Sequence, residues 1–558
     1  MKFPEINLAQ QVLQYCKSFG VNHIIISPGS RNAPLTMGFY EDPFFTCYSI
    51  VDERCAAFFG MGIAQQLKHP VALLCTSGSA ALNYYPALSE AFYSDIPLVA
   101  ITADRPSDKI DIGDGQTIRQ TNVFANHSLY NANLSDKEED VHHNDEKLYL
   151  AFENCIRFNG PVHINVPFEE PLYKMKEGIL AELPQLKTKH VFTEIKEDSK
   201  MSVFKDDWNA SEKKLILVGV QHENEISDKV ISFLSNDPSV IVLTETTSNL
   251  HHSEFFPAID QLIAPIEKID ALISPLQPDM LITFGGMVIS KKIKAFLRKY
   301  PPKTHYHIDK KKAYDTYFCL THHFKTSVNH FFEVLSTELN FKNSGYKKHW
   351  SGIREYRRRK HSSYIDEIPY SDFKVYHILF ANFPHNCMLQ LSNSSTVRYA
   401  QLFDLHHSLK VYCNRGTSGI DGSTSTAIGA ANAVDYPTIL ITGDLSFFYD
   451  SNALWNDYIP KNFKIVLINN GGGGIFRILP GPKENPKFHK YFETRHQLKA
   501  SYLCHMFGIA YWSSESELQL KNNLNEFLDY DQGPALIEIG TPIDVNDEIL
   551  LNYFKFIQ

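Results

Sequence analysis

Short apolar runs punctuate the chain at regular intervals. NHIIIS, PVALLCT and PLVAIT fall in the first third, KLILVG, SVIVLT and DMLITF in the middle, and PTILIT, FKIVLI and ALIEI in the last. Longer helix-like segments separate them. Runs apolar on both faces and rich in valine and isoleucine predict parallel strands buried between helices, an α/β fold. Two polar stretches break the alternation: KTKHVFTEIKEDSKM at 187–201, and NSGYKKHWSGIREYRRRKHSSYIDEIPYSD at 343–372. Both read as linkers, giving three expected domains at residues 1–185, 186–345 and 346–558. A single hydrophobic core does not grow to this length, and about three to four units of roughly 150 residues is the ordinary expectation.

The pattern also repeats. Gly62-Ile63-Ala64 begins eight residues before Pro70, and Gly429-Ala430-Ala431 begins eight before Pro437. From Pro70 the chain runs VALLCTSG, a helix-like stretch and PLVAITAD to Asp104; from Pro437 it runs TILITGD, a helix-like stretch and FKIVLINN to Asn470. Equal spacing alone arises by chance. The matching strand–helix–strand order makes the outer thirds read as two α/β domains of one design around a third.

Composition removes several function classes. Hydrophobic residues at 43% and charged residues at 21% describe a folded globular chain, and a net charge of −9 with a pI near 6.2 gives no global reason to seek nucleic acid or an anionic membrane. The cluster Arg357-Arg358-Arg359-Lys360 therefore reads as one face of a solvated linker helix. Nine scattered cysteines without a C-x-x-C pair read as reduced core thiols. The amino terminus resembles an amphipathic helix rather than a signal peptide, and no apolar run approaches the ~20 residues that span a bilayer. A cytoplasmic protein is expected. The adjacent pairs His142-His143, His251-His252, His322-His323 and His406-His407 should point apart on helix or strand, which argues against a histidine metal centre.

Candidate chemistry gathers at strand ends. PTILIT leads into Gly443-Asp444 and FKIVLI into Asn469-Asn470, followed by four glycines. In open parallel sheets ligands bind beyond the carboxyl ends of strands. A carboxylate, a carboxamide oxygen and a main-chain carbonyl suit a hard cation that completes its shell with phosphate oxygens, and bare glycine lets backbone approach those phosphates. No G-x-x-x-x-G-K-[ST] occurs, and Gly60-Met61-Gly62 lies within a helix-like segment where it reads as a tight-packing device. A metal-bridged diphosphate is the ligand this pattern suggests.

GDLSFFYDSNALWNDYIPKNFKIVLINNGGGGIF resembles the thiamine-diphosphate motif. With IIISPGSRNAPLT, DERCAAFFGMGIAQ, TADRP, GDGQTIRQ and NRGTSGIDGS, the chain is similar to the 2-succinyl-5-enolpyruvyl-6-hydroxy-3-cyclohexene-1-carboxylate synthase (MenD) family over residues 24–480. The resemblance implies pyrimidine-binding, middle and diphosphate-binding domains. It also implies a transferase of menaquinone biosynthesis that decarboxylates 2-oxoglutarate and adds the four-carbon unit to isochorismate.

The resemblance further implies residue roles. Asp444, Asn470 and the Gly472 carbonyl would hold Mg²⁺, or Mn²⁺ as the alternative, although Gly471 stands where relatives carry a third Asn and shifts the register of the carbonyl. Gly443, Leu445, Ser446, Ile420, Ile475 and Phe476 would complete the cofactor pocket, with Leu479 as a further apolar wall. Glu53 would bond N1′ of the aminopyrimidine; read alone it is an acid in a first helical turn. Ser30, Arg31, Arg105, Gln116, Lys291, Lys292, Ser394, Arg398 and Arg415 would bind substrate. Six cations suit two dicarboxylates, since guanidinium forks grip carboxylates through two parallel bonds. Read singly, each is an ordinary surface or ion-pair residue, Arg105 a loop brace, and Lys292 stands where many relatives have Arg. Glu53 and the metal residues lie in different domains, which in similar enzymes meet across two chains, so a homodimer or homotetramer is implied. The rivals are an acetohydroxyacid synthase or 2-oxo acid decarboxylase acting on smaller monocarboxylates, and a non-catalytic regulator that keeps the fold.

Overall fold

The chain's computed structural model describes residues 2–178, 198–478, 485 and 487–558. Three parallel sheets carry the fold. The first, in spatial order, pairs Thr46–Ser49, His23–Ile26, Val71–Cys75, Leu98–Asp104, Val162–Pro167 and Asn131–Asn133. The third pairs Lys410–Cys413, Met388–Leu391, Thr438–Gly443, Phe463–Asn469, Ala535–Gly540 and Ala510–Ser514. Counted within each sheet, both orders are second, first, third, fourth, sixth, fifth. The faint repeat in the sequence is thus a duplicated six-stranded topology. Between them lies a five-stranded sheet running from Val240–Thr244 through Lys214–Val218, Met280–Phe284 and Thr304–Ile308 to His322–Phe324.

The two copies are joined by equivalent helices. Glu53–Leu67 starts where the Asp52 carboxylate accepts the Cys55 N–H at 3.2 Å and ends at Lys68 with φ +51°. Ser423–Asn432 is its counterpart after the second strand of the third sheet. The repeat's own glycines let the pair cross: a Cβ on Gly62 would lie 2.1 Å from the Thr426 carbonyl oxygen, and one on Gly429 would lie 2.0 Å from that of Phe59. The spacing that marked the repeat therefore marks a backbone-to-backbone contact. Around it Phe58, Phe59, Met61, Ile428, Leu440 and Phe447 form one core with residues from both domains. Each fully buried side chain of this size contributes roughly 1.5–3 kcal/mol.

The stretch expected as a second linker is instead the 22-residue helix Tyr346–Glu367. Tyr346 and Trp350 close the middle-domain core, whereas Tyr364 and Ile365 enter the third-domain core. The basic cluster is not wholly solvated either, because Arg357 is buried and donates from Nη1 to the Gln558 carbonyl at 2.6 Å. The first expected linker, 187–201, and the 185/186 boundary fall almost entirely outside the described residues. All nine cysteines are free, seven of them buried. Among the described residues no helix is long and apolar enough to cross a membrane.

Candidate active site

The carboxyl end of the third sheet is built by two adjacent parallel strands, with Gly443 paired to Ile468. That register brings the residues after each strand side by side. Asp444 opens the short helix Asp444–Tyr449, and its Oδ2 accepts the N–H groups of Gly471 and Gly472, each at 2.9 Å. Only a chain turned back tightly can offer two successive N–H groups to one oxygen. Gly471 has φ +80° and Gly472 φ +152°, and a Cβ on Gly472 would lie 2.6 Å from the Glu493 carbonyl oxygen, so neither position tolerates a side chain without strain. The glycine run is a close-approach loop.

Asn470 points its amide in one direction. Nδ2 donates to Asp372 Oδ2 at 3.1 Å, while the buried Oδ1 has no hydrogen-bond partner. A buried unsatisfied oxygen beside a carboxylate is costly unless something binds it. This pairing fits an oxygen-seeking cation. The Gly472 carbonyl already accepts the Gly474 N–H at 3.0 Å, leaving one lone pair. Asp372 is fully buried; burial pushes its carboxyl up to about 6, hydrogen bonds from Thr541 and Asn470 opposing and the Asp444 charge adding. Behind the loop, Glu493 is paired with Arg477, His489 and Arg495. Burial alone would raise its pKa, but those partners bring it down to about 2. Its carbonyl receives the Gly473 N–H at 2.6 Å, tying the charged cluster to the glycines. Ser446 donates to the Ile420 carbonyl at 2.7 Å, and Leu445 N–H caps Asp444 Oδ1. Ile420 and Phe476 are exposed and Ile475 half-buried beside this loop. Leu479 lies outside the described residues.

The cations fall into two groups. Arg31 and Arg105 belong to the first domain. Arg31 is buried, donates from Nη1 to the Phe168 carbonyl at 2.9 Å and sits 3.3 Å from Glu170, yet its Nε has no partner. Burial and then the Arg105 charge lower its pKa, with Glu170, Glu169 and Asp114 offsetting. Arg105 approaches Asp114 at 3.9 Å, and its Nε is likewise unpaired. Ser30 and Gln116 are exposed on neighbouring loops, Gln116 at φ +55° against Gly78.

Arg398 and Arg415 form the second group. Arg398 makes no hydrogen bond or ion pair of its own among the described residues; burial and the Arg415 charge lower its pKa, and Asp260 offsets them. Arg415 Nη1 donates to Asn393 Oδ1 at 2.6 Å, and its Nε is buried without a partner. Ser394, at φ +70°, precedes the helix Ser395–Ala400 that carries Arg398. Lys291 is exposed, whereas Lys292 is held by both Glu267 oxygens at 2.8 and 2.9 Å. Glu245, buried and raised to about 7 chiefly by desolvation, accepts the Ile289 and Ser290 N–H groups and so fixes the loop before them.

Glu53 is half-buried at the start of its helix and accepts from Asn83 Nδ2 at 3.4 Å. Its charge reaches the buried Cys75 thiol and Tyr84 phenol, whose pKa values burial already raises. Among the described residues, no hydrogen bond or ion pair of Glu53, Arg31 or Arg105 reaches Asp444, Asn470, Arg398 or Arg415. Sequence reasoning missed Asp372, Glu245, Asn393 and Glu493, whose roles depend on partners far away in sequence. A cleft of about 800 Å³ between Gln221–Phe255 and Asp404–Lys410 is lined by none of the expected site residues. The stacked rings of His385 and His406, 3.8 Å apart, line or border it, and the His406 and His407 rings lie 4.3 Å apart rather than diverging, because a turn carries them. Among the described residues no cluster of histidine, cysteine and acidic side chains could hold a metal.

The profile of the thiamine pyrophosphate enzyme N-terminal TPP binding domain matches residues 6–127, and that of the C-terminal TPP binding domain matches 393–539. A 2-succinyl-5-enolpyruvyl-6-hydroxy-3-cyclohexene-1-carboxylate synthase from Flavobacterium psychrophilum is 55% identical over all of both chains. Those from Christiangramia forsetii and Porphyromonas gingivalis are 52% and 34% identical, the former over the whole of both chains and the latter over 96% of this chain and 95% of its own. Thiamine-diphosphate domains on the two copies of one topology, and relatives similar from end to end, place this chain in the 2-succinyl-5-enolpyruvyl-6-hydroxy-3-cyclohexene-1-carboxylate synthase family.

Proposed function

We propose that the chain decarboxylates 2-oxoglutarate and adds the resulting four-carbon unit to isochorismate, giving 2-succinyl-5-enolpyruvyl-6-hydroxy-3-cyclohexene-1-carboxylate for menaquinone biosynthesis. The observation that carries the substrate class is Arg398 beside Arg415, two guanidiniums whose mutual repulsion is only partly offset by Asp260. Such a pair stabilises a bound dicarboxylate through charge-assisted forks and gives a neutral or monoanionic substrate less reason to bind. Arg31 and Arg105 offer a second such pair from the first domain. Lys292 is committed to Glu267 and serves the site by holding its own loop.

Thiamine diphosphate, when bound, supplies the electron sink that lets a 2-oxo acid lose CO₂ and its carbonyl carbon act as a nucleophile. Asp444 and the free Oδ1 of Asn470, with the Gly472 carbonyl, would hold a Mg²⁺ that neutralises the cofactor's diphosphate charge, and Mn²⁺ would suit the same oxygens. Glu53 would hydrogen-bond the pyrimidine ring of the cofactor and exchange a proton with it. Ile420, Ile475 and Phe476 exclude water, and Ser30, Gln116 and Ser394 orient substrate oxygens. Glu53 and the metal residues stand on different domains, and in this reading a second copy of the chain completes the site. The domain limits proposed are 1–185, 186–345 and 346–558, one parallel sheet to each, with the helix Tyr346–Glu367 bridging the last two. The test is turnover by purified protein with Mg²⁺ and thiamine diphosphate. CO₂ release and isochorismate loss should require 2-oxoglutarate, and equal turnover with pyruvate would refute the dicarboxylate assignment.

A further inference from the structure

Glu90 is a buried carboxylate with no cation beside it. It lies on the first-domain helix Tyr85–Ser94 and is 1% exposed, yet no ion pair neutralises it among the described residues. Its partners are donors on one loop of the third domain. Oε1 accepts the Gly416 N–H at 2.6 Å, and Oε2 accepts the Thr417 N–H at 2.6 Å, the Thr417 hydroxyl at 2.8 Å and the Ser418 N–H at 3.3 Å. Ser94, one turn along the helix, donates to Oε1 at 2.8 Å. A lone buried charge is expensive, and convergent N–H groups are among the few partners that offset it. The fit is close: a Cβ on Gly416 would lie 2.4 Å from the Glu90 carbonyl oxygen.

The loop so gripped begins immediately after Arg415. On its other side Asn393 accepts from the Arg415 guanidinium and donates to the Asn414 and Gly419 carbonyls, each at 2.7 Å. The arginine is thereby clamped twice, its side chain from within its own domain and its backbone from the first domain. Packing alone would need an apolar contact here; a carboxylate that takes three successive N–H groups fixes the orientation of every peptide between them. We propose that Glu90 is a positioning residue that aims Arg415 at substrate, so that recognition at the third-domain strand ends depends on a first-domain side chain of the same protomer. This rests on the reading of Arg415 as a substrate-binding residue.

Steady-state kinetics of the holoenzyme, with each substrate varied in turn, tests it together with Mg²⁺-dependent thiamine-diphosphate binding by calorimetry. Glu90→Gln swaps an acceptor oxygen for an amide that faces backbone donors. It should raise KM for one of the two dicarboxylates roughly tenfold, as loss of a charge-assisted contact does, with kcat within about twofold and cofactor affinity unchanged. Arg415→Ala should show the same pattern, and the double variant should lose no more than Arg415→Ala alone. Glu90→Asp keeps the charge but shortens its reach. It carries the test should Glu90→Gln not fold, with a smaller rise in KM and the same lack of further loss beside Arg415→Ala. Multiplied losses in the double variant, or a normal KM in both Glu90 variants while Arg415→Ala is impaired, overturn the positioning role and leave the Arg415 assignment standing. Unchanged kinetics in Arg415→Ala overturn both.

Discussion

Replacing Gly429 by alanine adds one methyl group at the crossing of Glu53–Leu67 and Ser423–Asn432, and two effects oppose each other there. Alanine is the better helix former by about 1 kcal/mol. The new Cβ, however, would lie 2.0 Å from the Phe59 carbonyl oxygen, a backbone atom that cannot rotate away. Carbon and carbonyl oxygen need about 3.3 Å, so the helices must part by roughly 1 Å. A gap of that size forfeits about a quarter to a half of each dispersion contact it opens, and Phe58, Phe59, Met61 and Ile428 around it are almost wholly buried. Overpacking of this kind costs about 1–3 kcal/mol or more, which exceeds the propensity gain. Gly429→Ala should therefore be destabilised by at least about 1 kcal/mol net. Gly62→Ala at the same crossing should behave alike, and the pair should cost less than the sum, because helices already parted accommodate the second methyl. Gly352 supplies the control: it lies inside the helix Tyr346–Glu367 with nothing within 4 Å of its added Cβ, so Gly352→Ala should stabilise by about 0.5–1 kcal/mol. Scanning calorimetry at one fixed scan rate reads all four variants. If Gly429→Ala melts at or above the parent temperature while Gly352→Ala melts higher, the backbone approach of the two helices is wrong.

The other predictions concern the site and acid. Asp444→Ala removes the proposed metal oxygen and the acceptor for two glycine N–H groups, so Mg²⁺-dependent cofactor retention should be lost; unchanged calorimetric affinity would contradict the assignment. Glu53→Gln should still bind cofactor but exchange its thiazolium C2 proton far more slowly, and parent exchange rates measured by NMR would rule that role out. Burial holds His163 and His305 neutral, lowering them from 6.5 to about 3, and His222 and His361 to about 4. Since the unfolded chain takes up those protons near pH 6.5 and the folded chain does not, their stabilising effect is present above pH 6.5 and is lost as pH falls toward 4, about 1.4 kcal/mol per histidine per pH unit. Urea midpoints that stay flat from pH 6.5 to 5 would show that these rings are not buried neutral.

Strands were legible where both faces are apolar. All nine quoted runs are strands, from His23–Ile26 to Ala535–Gly540. The runs that escaped notice are of two kinds. Asn131–Asn133, His322–Phe324 and Ala510–Ser514 are sheet edges, half wetted and short, so their apolar signal is weak, and Lys410–Cys413 is an edge of only four residues opened by a lysine. Val162–Pro167 is interior, but its His163 and Asn165 belong to a buried polar chain with Thr102 and Gln120, and their polarity breaks the run. The burial of the helix Tyr346–Glu367, read from sequence as a solvated linker, was hidden because its buried face changes partner halfway, so no single stripe persists. At the strand ends, residue types pointed to Asp444 and Asn470, which the register brings side by side. Glu90 and Asp372 gave no local signal, since an isolated acid in a helix has no meaning until its distant donors are known.

The duplicated topology explains why the site residues cluster as they do. In each copy the third and fourth strands end side by side: Cys75 and Asp104 in the first sheet, Gly443 and Asn469 in the third. The first copy places Arg105 directly after its fourth strand and Glu53 at the helix after its second. The third places Asn470 after its fourth and Asp444 after its third. One backbone plan thus presents Glu53 and Arg105 from one copy and Asp444 and Asn470 from the other, because strand ends fix position while leaving the side chain open to choice. The glycine crossing then packs the two copies through the helices beside those ends, with Asn452 donating to Asp52 at 2.8 Å and the Tyr458 hydroxyl accepting the Ser49 N–H at 2.9 Å. Those same-chain contacts hold the start of the Glu53 helix against the 449–458 segment rather than against the glycine loop. The proposed site shared between two copies of the chain therefore rests on this intrachain packing, which commits the start of the Glu53 helix to the 449–458 segment.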